Sequence, residues 1–188
     1  PLDCELRVHK PAYAFVLVGS NDVPHRDRFE ENFRKVIERT IELGVVPVLA
    51  TKADNLEGDD SINETIARLA VEYDLPLWNF WLAVQPLPDH GLQPDGAHLT
   101  WASNRFDDPA KMQNAWPVRN LTALQTLDAL EKRVSSLAAT HADAVRALPA
   151  AVARPFNALR QKTRKAAAEY AGAIYYPGGG PGDALNVD

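Results

Sequence analysis

The 188-residue chain has little of what marks disulfide-bonded, membrane-spanning or nucleic-acid-binding proteins. Its single cysteine, Cys4, cannot close an intrachain disulfide, and no Cys/His spacing resembles a zinc site. Its uninterrupted apolar runs reach about seven residues, far below the roughly 18 that a transmembrane helix needs. Its 20 basic and 25 acidic residues give a formal charge of −5, which offers no attraction to nucleic acid or to an anionic membrane. We therefore expect a soluble protein with no membrane span and no nucleic-acid partner. The compartment stays open, with secretion as one option.

Apolar segments alternate with amphipathic ones over the first half of the chain. The runs without polar alternation predict strands that are covered on both faces, over residues 12–18, 45–51 and 75–81. Apolar residues at helical spacing predict helices over 27–43 and 61–74, and Ser61 three positions before Glu64 predicts a capping box at the start of the second one. Strands that alternate with helices of this length call for right-handed crossovers and a parallel sheet. The predicted fold class is therefore α/β.

The composition changes in the second half of the chain. The leucine and valine spacing between 121 and 137 predicts a long helix that closes an α/β domain over residues 1–138, with Asp107-Asp108 as its cap. Residues 139–176 are rich in alanine and carry six basic against two acidic residues between 139 and 170, so we expect a helical extension there. Residues 177–188 are too rich in glycine and proline for regular structure, which predicts a flexible tail.

Two short polar motifs follow the predicted strands, at the place where ligands bind to an open parallel sheet. The first is Gly19-Ser20-Asn21-Asp22, in which the glycine permits an unusual turn and the Asn21 amide can donate to a ligand oxygen. By itself this motif also fits an ordinary Asx turn. The second places Asp95 three positions before His98, so that the carboxylate can accept from one ring nitrogen and leave the other free as a base. By itself this pair also fits a helix-start aspartate beside an incidental exposed histidine.

Taken together, the two motifs resemble those of the SGNH/GDSL hydrolase family. Val18-Gly19-Ser20-Asn21-Asp22 is similar to its GxND block, in which Gly19 and Asp22 support the motif, and Asp95-Gly96-Ala97-His98-Leu99 is similar to its DxxH block. The resemblance covers roughly residues 11–130 and implies a three-layer α/β/α fold with a mostly parallel, flavodoxin-like sheet. It also implies ester hydrolysis by a serine nucleophile, with His98 as general base, Asp95 orienting that base and Asn21 as an oxyanion donor.

The nucleophile block of that family, and the block that supplies a backbone oxyanion glycine, belong upstream of residue 12 and are not found in this sequence. We therefore expect the C-terminal part of a longer hydrolase, incomplete at its N-terminus, in which strand 12–18 keeps one exposed edge. A separate N-terminal segment or chain that carries the nucleophile is the expected partner. Ser20 and Ser103 are weaker candidates for the nucleophile, and Gly182-Asp183-Ala184-Leu185 resembles the missing block with alanine in place of serine.

The leading hypothesis is a GDSL-type esterase, lipase or carbohydrate esterase that acts on a small-molecule, lipid or carbohydrate ester. It needs no metal and no other cofactor. One alternative is a catalytically incompetent fragment or a non-catalytic ligand-binding domain on the same fold. Another is a metal-dependent hydrolase, which would draw its ligands from Asp95, His98, His25, Asp27, Asp89 and His90. Among the tryptophans at 78, 81, 101 and 116, Trp101 is the best candidate to line a substrate cleft, because it follows the Asp/His motif directly.

Overall fold

A computed structural model of the chain describes residues 2–140 and 174–175. The order of helices and strands is α1 (Leu2–His9), β1 (Tyr13–Leu17), α2 (Phe29–Glu42), β2 (Val46–Ala50), α3 (Ser61–Glu72), β3 (Leu77–Trp78), α4 (Phe80–Val84), α5 (Ala115–Thr140) and β4 (Ile174–Tyr175). Short 3₁₀ segments lie at Ser20–Arg28, Pro88–Gly91 and Lys111–Gln113. The first two predicted strands and the first two predicted helices are confirmed, with ends that differ by at most two residues.

The strands form one open sheet in the order β1-β2-β3-β4. β1, β2 and β3 run parallel, with Tyr13 opposite Val46 and Leu49 opposite Leu77. The predicted α/β class with a parallel sheet is therefore confirmed. Among the described residues, β1 pairs only with β2 and lies at the edge of the sheet.

Alternate residues of the strands enter two separate apolar clusters. Val16 of β1 and Leu49 of β2 pack with buried residues of α2 and α3, namely Phe29, Phe33, Ile37, Ile62, Ile66 and Leu69. Val48 and Ala50 of β2 pack in the other cluster, with buried residues of α4 and α5, namely Phe80, Val84, Val118 and Leu121. Successive side chains of a strand point to opposite faces of the sheet, so this division explains why the strand segments read as continuous apolar runs.

The third strand is shorter than the predicted segment 75–81, because the chain turns at Asn79 into α4. Asn79 Oδ1 accepts a hydrogen bond from the Leu82 backbone N–H at 3.0 Å and another from Thr51 Oγ1 at 3.1 Å. Thr51 Oγ1 in turn accepts from the Trp81 backbone N–H at 3.0 Å. The prediction is wrong from Asn79 onward, since a side-chain cap bound to the neighbouring strand end starts a helix where the aromatic composition favours a strand.

Two predicted helix caps are also wrong. α3 begins at Ser61, but its N-cap is Asp60, and the Ser61 hydroxyl donates to the charged Asp59 carboxylate at 2.6 Å. A capping box between Ser61 and Glu64 therefore does not form. Asp108 accepts from the backbone N–H groups of Ala110 and Lys111, just before the short turn Lys111–Gln113, whose N-cap is Ala110. The long helix α5 begins only at Ala115, because Asn114 between the two is extended.

The structure describes only part of the C-terminal half. Helix α5 is confirmed and continues to Thr140, past the expected domain boundary at residue 138. Ile174–Tyr175 forms β4, antiparallel to β3, at a place where the composition predicts part of a helical extension. The rest of that extension and the predicted tail 177–188 lie outside the described residues. Within the part of the chain that the structure describes, no helix combines the length and the apolar character needed to cross a membrane.

Candidate functional site

Asp95 and His98 form a hydrogen-bonded pair at the tip of a tight loop. The loop is closed by an antiparallel bridge between Leu92 and Leu99 and by a 2.8 Å hydrogen bond from the Gln93 N–H to the His98 carbonyl. One carboxylate oxygen of Asp95 lies 2.6 Å from His98 Nδ1. The other accepts the backbone N–H groups of Ala97 and His98, each at 3.0 Å. The fold of the loop thus lets the Asp95 carboxylate bind both the loop backbone and the imidazole.

These contacts define the chemical state of the pair. The backbone N–H of His98, followed by that of Ala97 and by the His98 ring, lowers the pKa of Asp95 from 3.8 to about 2. An ionised Asp95 accepts from Nδ1, so the neutral imidazole keeps its lone pair on Nε2. The His98 side chain is 77% exposed, which leaves Nε2 accessible from outside. The pair therefore has the geometry of an orienting acid and a general base.

The loop is anchored to the start of α5. Thr100 donates to the Gly91 carbonyl through both its backbone N–H and its hydroxyl. The Ala115 N–H donates to Thr100 Oγ1 at 2.9 Å, and the Trp116 N–H donates to the Thr100 carbonyl at 3.0 Å. Gly91 has a φ of +71°, and a Cβ added there would lie 2.6 Å from the Ala115 side chain. The close approach of Gly91 to α5 thus requires glycine.

Asn21 lies in the loop that follows β1, at the end of the strand. Gly19 adopts a φ of +121°, which a side chain would strain, and the Asp22 N–H closes the turn onto the Gly19 carbonyl at 3.0 Å. The Asn21 side chain is exposed, and Asp22 is half-buried. Asn21 and Asp22 belong to the 3₁₀ segment Ser20–Arg28, which sequence patterning does not predict.

The structure joins Asp95 to His98 directly, whereas the segments that carry Asn21 and His98 share an apolar cluster. Leu17 at the end of β1 and Leu99 beside His98 pack against the same apolar cluster. Within the described ranges, the hydrogen bonds of Asp95 and His98 run to each other, to Ala97 and to Gln93, and none runs to Asn21. A common pocket for Asn21 and His98 therefore stays a prediction.

The motifs do not predict a buried ionic cluster that contacts Ser20, the residue before Asn21. Lys52, Asp54 and Glu57 follow β2, and their side chains are 2%, 2% and 0% exposed. Lys52 Nζ donates to Asp54 Oδ1 at 2.7 Å and to Glu57 Oε2 at 2.6 Å. The Ser20 hydroxyl donates to Asp54 Oδ2 at 2.5 Å. The rule that singles out polar residues after each strand applies equally to Thr51-Lys52-Ala53-Asp54, and that signal was available in the sequence.

The remaining candidate residues are dispersed. The His90 ring contacts the Gln85 carbonyl at 3.0 Å, and Ser103 is exposed in the turn after Trp101. In residues 2–140, no group of His, Cys, Asp and Glu side chains is arranged to hold a metal ion. Trp78 is buried in the core, whereas Trp101 is 70% exposed and Trp116, with Arg119 over its ring, is 38% exposed. Both exposed tryptophans are close to the anchoring residue Thr100. Trp101 follows it in sequence, and the Trp116 N–H donates a hydrogen bond to its carbonyl.

Comparisons with protein-family models, with curated proteins and with solved structures find no match to this chain.

Proposed function

We propose that the chain carries the general base, its orienting acid and an oxyanion donor of a serine ester hydrolase of the SGNH/GDSL type, on a three-layer α/β/α fold with a flavodoxin-like sheet. The observation that supports this proposal most strongly is the 2.6 Å contact between Asp95 and His98 Nδ1, which leaves Nε2 of an exposed imidazole free. A second support is the position of Asn21 directly after a parallel strand, where ligands bind to sheets of this kind.

The reaction follows from the roles of these groups. A serine hydroxyl, from this chain or from a segment that accompanies it, attacks the ester carbonyl carbon while His98 Nε2 takes its proton. The carbonyl oxygen becomes an oxyanion, which the Asn21 amide N–H stabilises. When the C–O bond to the alcohol breaks, the alcohol leaves with the proton from His98. A water molecule then attacks the acyl-serine in the same way and releases the acid.

Asp95 keeps the base in the correct tautomer throughout these steps. Its pKa of about 2 means that the carboxylate is ionised at every pH at which an ester hydrolase works. The carboxylate therefore accepts from Nδ1 and stabilises the imidazolium that forms when His98 takes the proton. The expected substrate is a small-molecule, lipid or carbohydrate ester. Trp101, which is exposed and lies three residues after His98 in the chain, offers an apolar surface to the acyl or alcohol group of this ester.

A specific observation favours the alternative of a non-catalytic ligand-binding domain. The hydroxyl of Ser20, one of the candidate nucleophiles, already donates to the Asp54 carboxylate and is therefore not bonded to His98. In that case Asn21 and His98 only hydrogen-bond a ligand. The two functions differ in whether a serine becomes covalently acylated.

Labelling with a fluorophosphonate, which phosphonylates activated serines, distinguishes the two functions. We expect the native protein to incorporate the probe at one serine, which peptide mass spectrometry identifies, and His98→Ala to slow the labelling at least about 100-fold. His9→Ala is the matched control, because His9 is also exposed and paired with a carboxylate, that of Glu5 at 3.3 Å. Labelling that is absent, or that is equally fast in His98→Ala, contradicts the hydrolase proposal and supports the binding domain.

A further inference from the structure

The buried cluster of Lys52, Asp54 and Glu57 uses all the donors of the lysine. Lys52 Nζ donates to the Asp54 carbonyl at 2.8 Å, to Asp54 Oδ1 at 2.7 Å and to Glu57 Oε2 at 2.6 Å. An ammonium has three N–H donors, so each has one acceptor. The backbone on either side of Lys52 is also tied down, since its N–H and carbonyl both bind the Asn63 side chain. The cluster is therefore a rigid block at the carboxyl end of β2.

This block supports the two residues that precede Asn21. The second oxygen of Asp54, Oδ2, accepts the Ser20 hydroxyl at 2.5 Å, so Asp54 bridges Lys52 and the loop after β1. The alkyl stem of Lys52 lies directly against Gly19, where an added Cβ would be 3.2 Å from Lys52 Cδ. Gly19 and Ser20 are thus held by packing and by a charge-assisted hydrogen bond.

Stability alone is a weak reason for such a cluster. Taking one ammonium and two carboxylates out of water is costly, and buried ion pairs often contribute no more than well-packed apolar residues would. What the cluster supplies is a defined geometry, because directional hydrogen bonds fix Ser20 in one orientation. Asn21 follows Ser20 directly in the chain, and its side chain is exposed.

We propose that Asp54, acting through Ser20 and backed by Lys52, is a positioning residue that aims the Asn21 amide at the oxyanion. This inference rests on the proposed ester hydrolysis and deepens it. It also assigns Ser20 a role other than nucleophile, because its hydroxyl proton is directed to Asp54 and not to His98.

The test is a double-mutant cycle of Ser20→Ala and Asn21→Ala in the native protein, with p-nitrophenyl acetate as substrate. We expect Ser20→Ala to lower kcat about 10-fold or more with little change in KM, and Ser20→Thr, which keeps the hydroxyl, to restore most of the rate. We expect Ser20→Ala to have almost no further effect in the Asn21→Ala background, because Ser20 acts through Asn21. Ser61→Ala is the matched control, since it removes another hydroxyl that donates to a carboxylate.

Two further measurements separate this inference from the proposed function. Backbone hydrogen exchange at Asn21 and Asp22 should be at least about 10-fold faster in Ser20→Ala than in Ser61→Ala. Fluorophosphonate labelling should survive in Ser20→Ala. An unchanged kcat, effects of Ser20→Ala and Asn21→Ala that multiply independently, unchanged exchange, or loss of the label in Ser20→Ala each overturn the positioning role. If Ser20→Ala speeds the amide exchange as expected, but the native protein hydrolyses no ester and takes no label, the proposed function is overturned instead.

Discussion

At the scale of single residues, Asp95 is the group whose surroundings are most sharply defined. Its carboxylate accepts two backbone N–H groups and one ring nitrogen, and these contacts lower its pKa to about 2. The backbone N–H of His98 is the largest cause, ahead of the His98 ring. The Asp-x-x-His spacing predicts the contact between the two side chains, whereas the backbone contacts depend on how the loop 92–99 folds.

A carboxyl titration by NMR tests this ranking of causes. We expect the Asp95 carboxyl to titrate near pH 2 in the native protein. In His98→Ala the backbone N–H groups of residues 97 and 98 remain, so the midpoint should rise only part of the way to 3.8. A midpoint that returns fully to 3.8 in His98→Ala would show that the ring and not the backbone holds the carboxylate.

The same shift predicts a pH dependence of stability. The pKa of Asp95 is lower in the folded chain than its ordinary 3.8, so its contribution to stability is fully present above about pH 4. That contribution is lost as the pH falls from about 4 toward 2. Urea unfolding of the native protein and of Asp95→Asn should therefore give stabilities that differ more at pH 5 than at pH 2. An equal difference at both pH values contradicts the assignment.

Gly19 is the residue whose backbone allows the loop after β1 to approach β2 and α3. A Cβ at this position would lie 2.8 Å from the Ile62 side chain, in addition to the strain of a φ of +121°. We expect Gly19→Ala to lower the free energy of unfolding by about 1–3 kcal/mol more than Gly44→Ala does. Gly44 also has a positive φ, +76°, but nothing lies within 4 Å of its added Cβ. Equal losses in thermal unfolding of the two variants would rule out the close contact.

At the scale of elements, the turn from β3 into α4 is where prediction from sequence patterns fails. Strands β1 and β2 and helices α2 and α3 are predictable, because long runs of one periodicity report burial directly. The segment 75–81 has strand-forming aromatics throughout, yet only Leu77–Trp78 is extended. The deciding contact joins Asn79 to Thr51, 28 positions away, and no local pattern contains it. Around Ser61 and Asp108 the deciding contacts are local and run to the carboxylates of Asp59 and Asp108.

Replacing Asn79 tests whether its side chain ends the strand. Asn79→Ala removes the acceptor for the Leu82 N–H and the Thr51 hydroxyl, so we expect a loss of about 1 kcal/mol in the free energy of unfolding. Asn79→Asp keeps a side-chain oxygen and should lose much less. Urea denaturation measures both variants. If Asn79→Ala leaves the free energy of unfolding unchanged, or if Asn79→Asp lowers it equally, the side-chain cap does not stabilise the turn from β3 into α4.

At the scale of the whole molecule, the parallel sheet explains why distant segments of the chain can share one site. The loops after β1 and β2 meet through Ser20 and Asp54, and those after β2 and β3 meet through Thr51 and Asn79. Sequence motifs single out Asn21, Asp95 and His98 as candidate site residues, but they miss the buried Lys52 and Asp54. Whether Asn21 and His98 face one bound oxygen depends on loop positions that no spacing rule determines.

The most direct test of the proposed hydrolase is the kcat/KM for p-nitrophenyl acetate of the native protein and of its His98→Ala and His9→Ala variants. We expect saturable hydrolysis, a loss of about 10³-fold or more in His98→Ala, and no change in His9→Ala. Hydrolysis that survives intact in His98→Ala, or no hydrolysis by the native protein, would contradict the role of the Asp95–His98 pair as a catalytic base.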